Sequence, residues 1–157
     1  MNILAIDPGY ERVGIAIIKK KSTGKEELLY SDCFTTSKDL SFPERLKRIG
    51  NEIDRLIHTY KPERIALEKV YFNKNQKTAM MVSEARGVLI YVATVNDISV
   101  YEYTPLEVKM AVTGNGHSPK DQVQKMVCKL IPIEKSIRYD DEYDAIAVGL
   151  TASATCG

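Results

Sequence analysis

Asn2-Ile-Leu-Ala-Ile-Asp7-Pro-Gly9 opens the chain as an apolar run that ends on a carboxylate. Apolar residues in unbroken succession read as a strand buried on both faces. Pro8-Gly9 supplies turn chemistry directly after it. Val13-Gly-Ile-Ala-Ile-Ile18 is a second apolar run, so the pair reads as a hairpin with Asp7 near its mouth. An ionised carboxylate among Ile and Leu costs on the order of several kcal/mol unless a basic side chain or a metal ion compensates it. The plainer alternative is an Asp7 that only caps its turn, bonding to the backbone near Gly9.

Outward from the hairpin, Glu27–Thr35 reads as a third strand after a polar turn at Ser22-Thr-Gly24. Ser41-Phe-Pro-Glu44 carries the marks of a helix start, with Ser41 as N-cap and Glu44 in the reciprocal position of a capping box. Phe42, Leu46, Ile49, Ile53, Leu56 and Tyr60 then recur at helical spacing, and Pro62 stops the helix. Arg64-Ile-Ala-Leu-Glu68 is a short strand that again delivers a carboxylate at its end. A helix is predicted from about Thr78 to Val92, and a fifth strand over Ile98–Tyr103. Thr104-Pro-Leu-Glu107 is a second capping box, and its short helix ends at Gly114-Asn-Gly116. Ser118-Pro-Lys-Asp121 opens another helix, with Val123, Met126, Val127 and Leu130 expected on its buried side. Asp140 or Asp141 is expected to cap a last helix running through Ala145-Ile-Ala-Val-Gly-Leu150. A strand meander followed by strand–helix–strand units predicts a mixed five-stranded sheet flanked by helices, an α/β domain over residues 1–157.

The 157 residues suit one well-packed domain. The longest apolar run, Val88-Leu-Ile-Tyr-Val-Ala-Thr-Val95, falls short of the roughly 18 residues of a membrane span, so no membrane association is expected. No basic region precedes the first apolar run, which argues against a secretory signal. Three scattered cysteines, Cys33, Cys128 and Cys156, without a Cys-x-x-Cys pair, suit a reducing compartment, and a cytoplasmic location is expected. The net charge of +1 does not announce a nucleic-acid partner, yet the charge is unevenly spread. Residues 61–77 hold five Lys/Arg against two Glu, and 109–129 hold four Lys against Asp121. Residues 134–144 hold five acids against Lys135 and Arg138. An acidic cluster offset by basic segments is what a metal-dependent phosphodiesterase needs.

Asp7 and Glu68 each end a strand, while Asp141 and Asp144 share a face near the start of the last helix. Acids so placed can converge at one sheet edge, where they repel one another unless divalent cations neutralise them. Mg²⁺ suits such a site, being held by a few carboxylates, water and substrate phosphate.

The segments Ala5-Ile-Asp7-Pro-Gly9, Ala66-Leu-Glu68-Lys-Val70, Glu84-Ala-Arg-Gly87, Pro105-Leu-Glu-Val-Lys109 and Asp141-Glu-Tyr-Asp144-Ala-Ile-Ala resemble, in order and spacing, those of the RuvC-type Holliday junction resolvases. The resemblance covers nearly the whole chain, from Asn2 to about Ala152. It implies a ribonuclease-H-like fold and a homodimer that nicks two opposing strands of four-way junction DNA. It further implies Mg²⁺, with Mn²⁺ able to substitute, as two ions per active site. Carried over residue by residue, it makes Asp7, Glu68, Asp141 and Asp144 the catalytic, metal-binding acids. Tyr71 takes the place of the junction-contacting aromatic residue, with Phe72, Lys74 and Asn75 beside it, and Lys109 and Lys120 take those of DNA-contacting lysines. A branch-migration motor complex is a further partner the resemblance suggests. Tyr10-Glu11 departs from the small residue that often follows Asp-Pro-Gly in the family. Rival readings are a ribonuclease-H-like nuclease of the pre-ribosomal-RNA processing type and a junction-binding module that does not cut. The Glu84–Gly87 segment weighs against the first, and the presence of all four acids against the second.

Overall fold

In the computed structural model, which describes residues 1–71 and 75–156, five strands form one sheet. They are β1 (Asn2–Asp7), β2 (Arg12–Lys20), β3 (Glu26–Thr35), β4 (Arg64–Glu68) and β5 (Ser99–Tyr103), in the spatial order β3-β2-β1-β4-β5. β1 is central and pairs antiparallel with β2 and parallel with β4, and β4 pairs parallel with β5. The mixed sheet predicted from the meander is therefore present.

Period-two alternation gives the central strands two buried faces. Leu4 and Ile6 of β1, Ile15 and Ile17 of β2, and Ile65 and Leu67 of β4 pack against α1 (Phe42–Tyr60) and α2 (Gln76–Val95). Ile3, Ala5, Ala16, Ile18 and Ala66 point the other way. That face is covered by α5 (Asp140–Thr155), backed by α3 (Pro105–Thr113) and α4 (Lys120–Leu130).

The helix starts follow their caps. Thr104 Oγ1 accepts from the Glu107 amide at 3.1 Å while Glu107 Oε2 accepts from the Thr104 amide at 2.7 Å, the complete predicted box. At α1 only half of the box forms: Ser41 Oγ accepts from the Glu44 amide at 3.4 Å. Two expectations fail. The N-cap of α5 is Tyr139, without a side-chain capping bond, and neither Asp140 nor Asp141 caps, because both lie inside the first turn with their carboxylates held by cations. Leu130 is exposed rather than buried, since α4 turns only Val123 and Val127 fully inward.

α2 is longer than predicted and, at 20 residues with a mean hydropathy of 1.2, is long and apolar enough to cross a membrane by length and composition alone. It carries Lys77, Glu84 and Arg86, and its Ala79, Ala85, Leu89, Val92 and Ala93 are buried in the protein. Arg86 pairs with Glu102 of β5, tying the Glu84–Gly87 segment to the sheet.

Candidate active site at the carboxylate end of the sheet

The alternation that buries Ala5 and Ala66 on the α5 face sends Asp7 and Glu68 to that same face, one step beyond the paired Ile6 and Leu67. Both carboxylates thus leave the ends of adjacent parallel strands side by side, within hydrogen-bonding reach of each other. Asp7 forms no turn cap; it faces the start of α5.

What brings α5 close is a floor of small side chains. Ala5, Ala16 and Ala66 of the sheet meet Ala145 and Ala147 of the helix. Gly14, opposite Asp7 in the β1–β2 register, lies directly against the first turn of that helix. A Cβ there would collide with the Asp141 carbonyl, 2.5 Å from its carbon, and come within 3.2 Å of the Asp7 Cβ. In the sequence Gly14 reads only as part of an apolar run; its place two residues into a strand that supports a carboxylate is the available signal.

A buried network holds the far side of the same helical turn. Glu142 accepts from Ser31 Oγ of β3 at 2.6 Å and pairs with Lys135 at 2.6 Å, while Lys135 also donates to the Ser31 carbonyl at 2.5 Å. Asp141 and Asp144, on the other side, face Asp7 and Glu68. In sequence Glu142 is one acid among five, and nothing local marks it as buried.

Burial, and then the neighbouring Glu68, Asp144 and Asp141, push the Asp7 carboxyl well above its ordinary range. Burial raises Glu68 too, with the adjacent Asp7 working against the rise, and raises Asp144 against the pull of Lys120. Four carboxylates with this donor chemistry and mutual repulsion fit hard divalent cations. Among the described residues no three acids stand in a preformed metal cage. Protein cations engage the helix-borne pair instead: Arg12 Nε lies 3.2 Å from Asp141, and Lys120 Nζ lies 3.3 Å from Asp144 and 3.5 Å from Asp140.

The raised carboxyls have a measurable consequence. An acid whose folded pKa exceeds its unfolded value keeps its proton longer when folded, so stability is gained as pH falls through the folded pKa and lost as pH rises. Without metal, the melting temperature is therefore expected to hold or rise on acidification from about pH 7.5 to about pH 5.5, above the ordinary carboxylate range. Adding Mg²⁺ at the higher pH should raise it further and flatten the dependence. Thermal melts with EDTA or Mg²⁺ at both pH values check this; a plain fall on acidification in EDTA would contradict it.

Lys109 and Lys120 stand beside the acids. With Glu68, Val108, Val123 and Asp144 they line a pocket of about 180 Å³ that has an apolar floor and a charged rim. A larger open hollow, about 1140 Å³, runs between β3 and residues 129–135 and contains none of the four acids. It is the smaller pocket that has the chemistry. Tyr71 is 54 % exposed. Asn75 caps α2, its Oδ1 accepting from the Thr78 amide at 3.2 Å. Phe72 and Lys74 lie outside the described residues.

The chain is similar to known proteins over nearly its whole length. The profile of the family described as "Crossover junction endodeoxyribonuclease RuvC" matches residues 3–152. The protein of that name from Petrotoga mobilis is 43% identical over 147 residues, which are 94% of this chain and 90% of the relative. Its counterpart from Thermosipho melanesiensis is 45% identical over 148 residues, 94% of each. The structure of Thermus thermophilus RuvC in complex with a Holliday junction substrate superposes with a TM-score of 0.91 at 31% identity, covering 98% of this chain and 93% of that one.

Proposed function

The chain belongs to the RuvC family of crossover junction endodeoxyribonucleases, and from that membership we propose how its residues resolve a four-way DNA junction. It is a divalent-metal-dependent nuclease that hydrolyses phosphodiester bonds. The carrying observation is the meeting of Asp7, Glu68, Asp141 and Asp144 from β1, β4 and α5 at one end of the sheet, beside Lys109 and Lys120.

Mg²⁺, or Mn²⁺ in its place, as two ions per site, would supply an activated water and charge neutralisation at the leaving 3′ oxygen. Asp7, central among the acids, would contribute to both ions. Glu68 and Asp144 would each flank one, and Asp141 would complete the set. Lys109 and Lys120 hold backbone phosphates over the acids by charge. Asn75 would reach DNA through its amide nitrogen because its oxygen caps α2, and the family resemblance gives Phe72 and Lys74 the same role of contacting DNA.

Two opposing strands must be cut, and a two-fold dimer matches the junction's symmetry. A second copy would pack on the outer stripe of α2, where Met80, Tyr91 and Val95 are each more than half exposed and Glu84 and Gly87 fall between them at helical spacing. With Cys33, Cys128 and Cys156 all free, the enzyme suits a reducing cytoplasm.

The direct test is a synthetic immobile four-way junction with Mg²⁺, read for symmetric nicks against linear duplex. Equal cutting of both substrates would end the assignment. Tyr71→Ala sharpens it. An exposed aromatic side chain three residues past Glu68 can stack on a base unpaired at the crossover, worth about 1–3 kcal/mol. The variant should thus cleave the junction roughly 10- to 100-fold more slowly, with an unchanged melting temperature and the dimer mass of the parent in sedimentation. Activity falling only in step with a lowered melting temperature would place Tyr71 in the structural core instead.

A further inference from the structure

The lysines flank the acids on the β4 side of the sheet; the β2 side carries arginines. Arg12 is the first residue of β2, and its side chain is 52 % exposed while bound to Asp141. Its guanidinium carbon lies 5.1 Å from the centre of the Tyr139 ring. The exposed Arg138 stacks on the same ring, 5.0 Å from its centre. Among the described residues Arg138 pairs with no acid. Tyr139 immediately precedes α5 and makes no capping bond, so its ring is held at the mouth of the site by the two guanidinium groups and the chain direction.

We propose that Arg12 and Arg138, stacked on Tyr139, form a second site for DNA backbone phosphate on the β2 side of the acids, and that Arg12 enters it by exchanging Asp141 for a phosphate oxygen when the acids hold divalent cations. The proposal rests on the nuclease function above. A planar guanidinium stacked on an aromatic ring is pre-oriented for a phosphate fork and is less costly to desolvate than an ammonium. Bound to Asp141, Arg12 competes with an incoming cation for that carboxylate. Once metal takes that carboxylate, Arg12 keeps its ring contact and its charge is free for the strand. A DNA strand crossing the acids would then be gripped on both sides, by Lys109 and Lys120 on one and by the arginine stack on the other.

The two roles of Arg12 predict effects of opposite sign, which a folding defect cannot mimic. In Arg12→Ala without DNA, Mn²⁺ affinity, read from the electron paramagnetic resonance of free Mn²⁺, should tighten about two- to fivefold, the range of a solvent-screened ion pair. Junction affinity, measured in Ca²⁺, should weaken, and the slope of log affinity against log salt should shrink by about 0.9, one phosphate contact. Arg138→Ala should shrink the slope equally while leaving Mn²⁺ affinity alone. Arg12→Gln serves if the alanine variant melts early. Mn²⁺ affinity unchanged or weakened in a folded Arg12 variant overturns the exchange, and salt slopes equal to wild type in both variants overturn the phosphate site. If wild-type protein does not prefer the junction over duplex, the functional assignment fails and takes the phosphate site with it. The Mn²⁺ measurement, made without DNA, reports on the Arg12–Asp141 competition separately.

Discussion

Asp7→Asn is expected to leave a folded, junction-binding protein that has lost cleavage by about a thousandfold or more, beyond the ~10²–10³ that removal of one electrostatic stabiliser costs an enzyme. Asp7 is the acid on which the others converge: Glu68 lies within hydrogen-bonding reach, and Asp144 and Asp141 both raise its pKa. Replacing it by a neutral amide of the same shape would take from the divalent cation the ligand proposed for Asp7. It also removes repulsion that the metal-free fold tolerates, so the variant should melt higher than the parent in EDTA. With one negative charge fewer beside the phosphates, junction affinity should hold or tighten. Gel-shift and cleavage assays on one junction, with melting curves, measure all three. Near wild-type cutting would remove Asp7 from the catalytic set. Loss of cutting with loss of fold would show instead that Asp7 is structural.

Gly14→Ala should inactivate the enzyme through the backbone. The added Cβ has the Asp141 carbonyl carbon 2.5 Å away and the Asp7 Cβ 3.2 Å away. A main-chain carbonyl in the first turn of α5 cannot swing aside as a side-chain tip can, so the helix start must retreat from the sheet by about 1 Å. Overpacking of this kind costs about 1–3 kcal/mol, roughly 3–10 °C in melting temperature for a chain of this size. The larger effect is on chemistry, because a displacement of about 1 Å among positioned groups can cost ~10²-fold in rate. Gly149→Ala is the comparison. Its Cβ would meet the flexible Ile18 Cδ1 at 2.6 Å and the Ala5 Cβ at 3.1 Å, further along the same helix. It should lose stability yet keep most of its activity well below its melting point. Equal activity losses in the two variants would mean that helix docking as a whole, rather than the place of Asp141, governs the rate.

Both predictions turn on a helix whose approach to the sheet has no local signature. Strand β1 was legible because its cause is local: an unbroken apolar run, a carboxylate at its end and Pro8-Gly9 after it. The Thr104 box was legible for the same reason, its two bonds spanning three residues. Period two then fixes that Asp7 and Glu68 share a face once β1 and β4 are known to be parallel neighbours. The family resemblance singled out the four acids from short motifs in order, and the fold brings those four together. Tertiary structure alone decided the rest. Arg12 and Asp141, or Ser31 and Glu142, lie more than a hundred residues apart and meet only because α5 crosses the sheet on a floor of Ala and Gly. Composition shows five acids between residues 134 and 144 without ranking them. Packing turns Glu142 inward onto Lys135 and leaves Asp141 and Asp144 facing the site. Local sequence encodes propensity and periodicity over a few residues, whereas burial and charge pairing depend on which distant surface a residue meets, and here Gly14 lets that surface come close enough for the acids to meet.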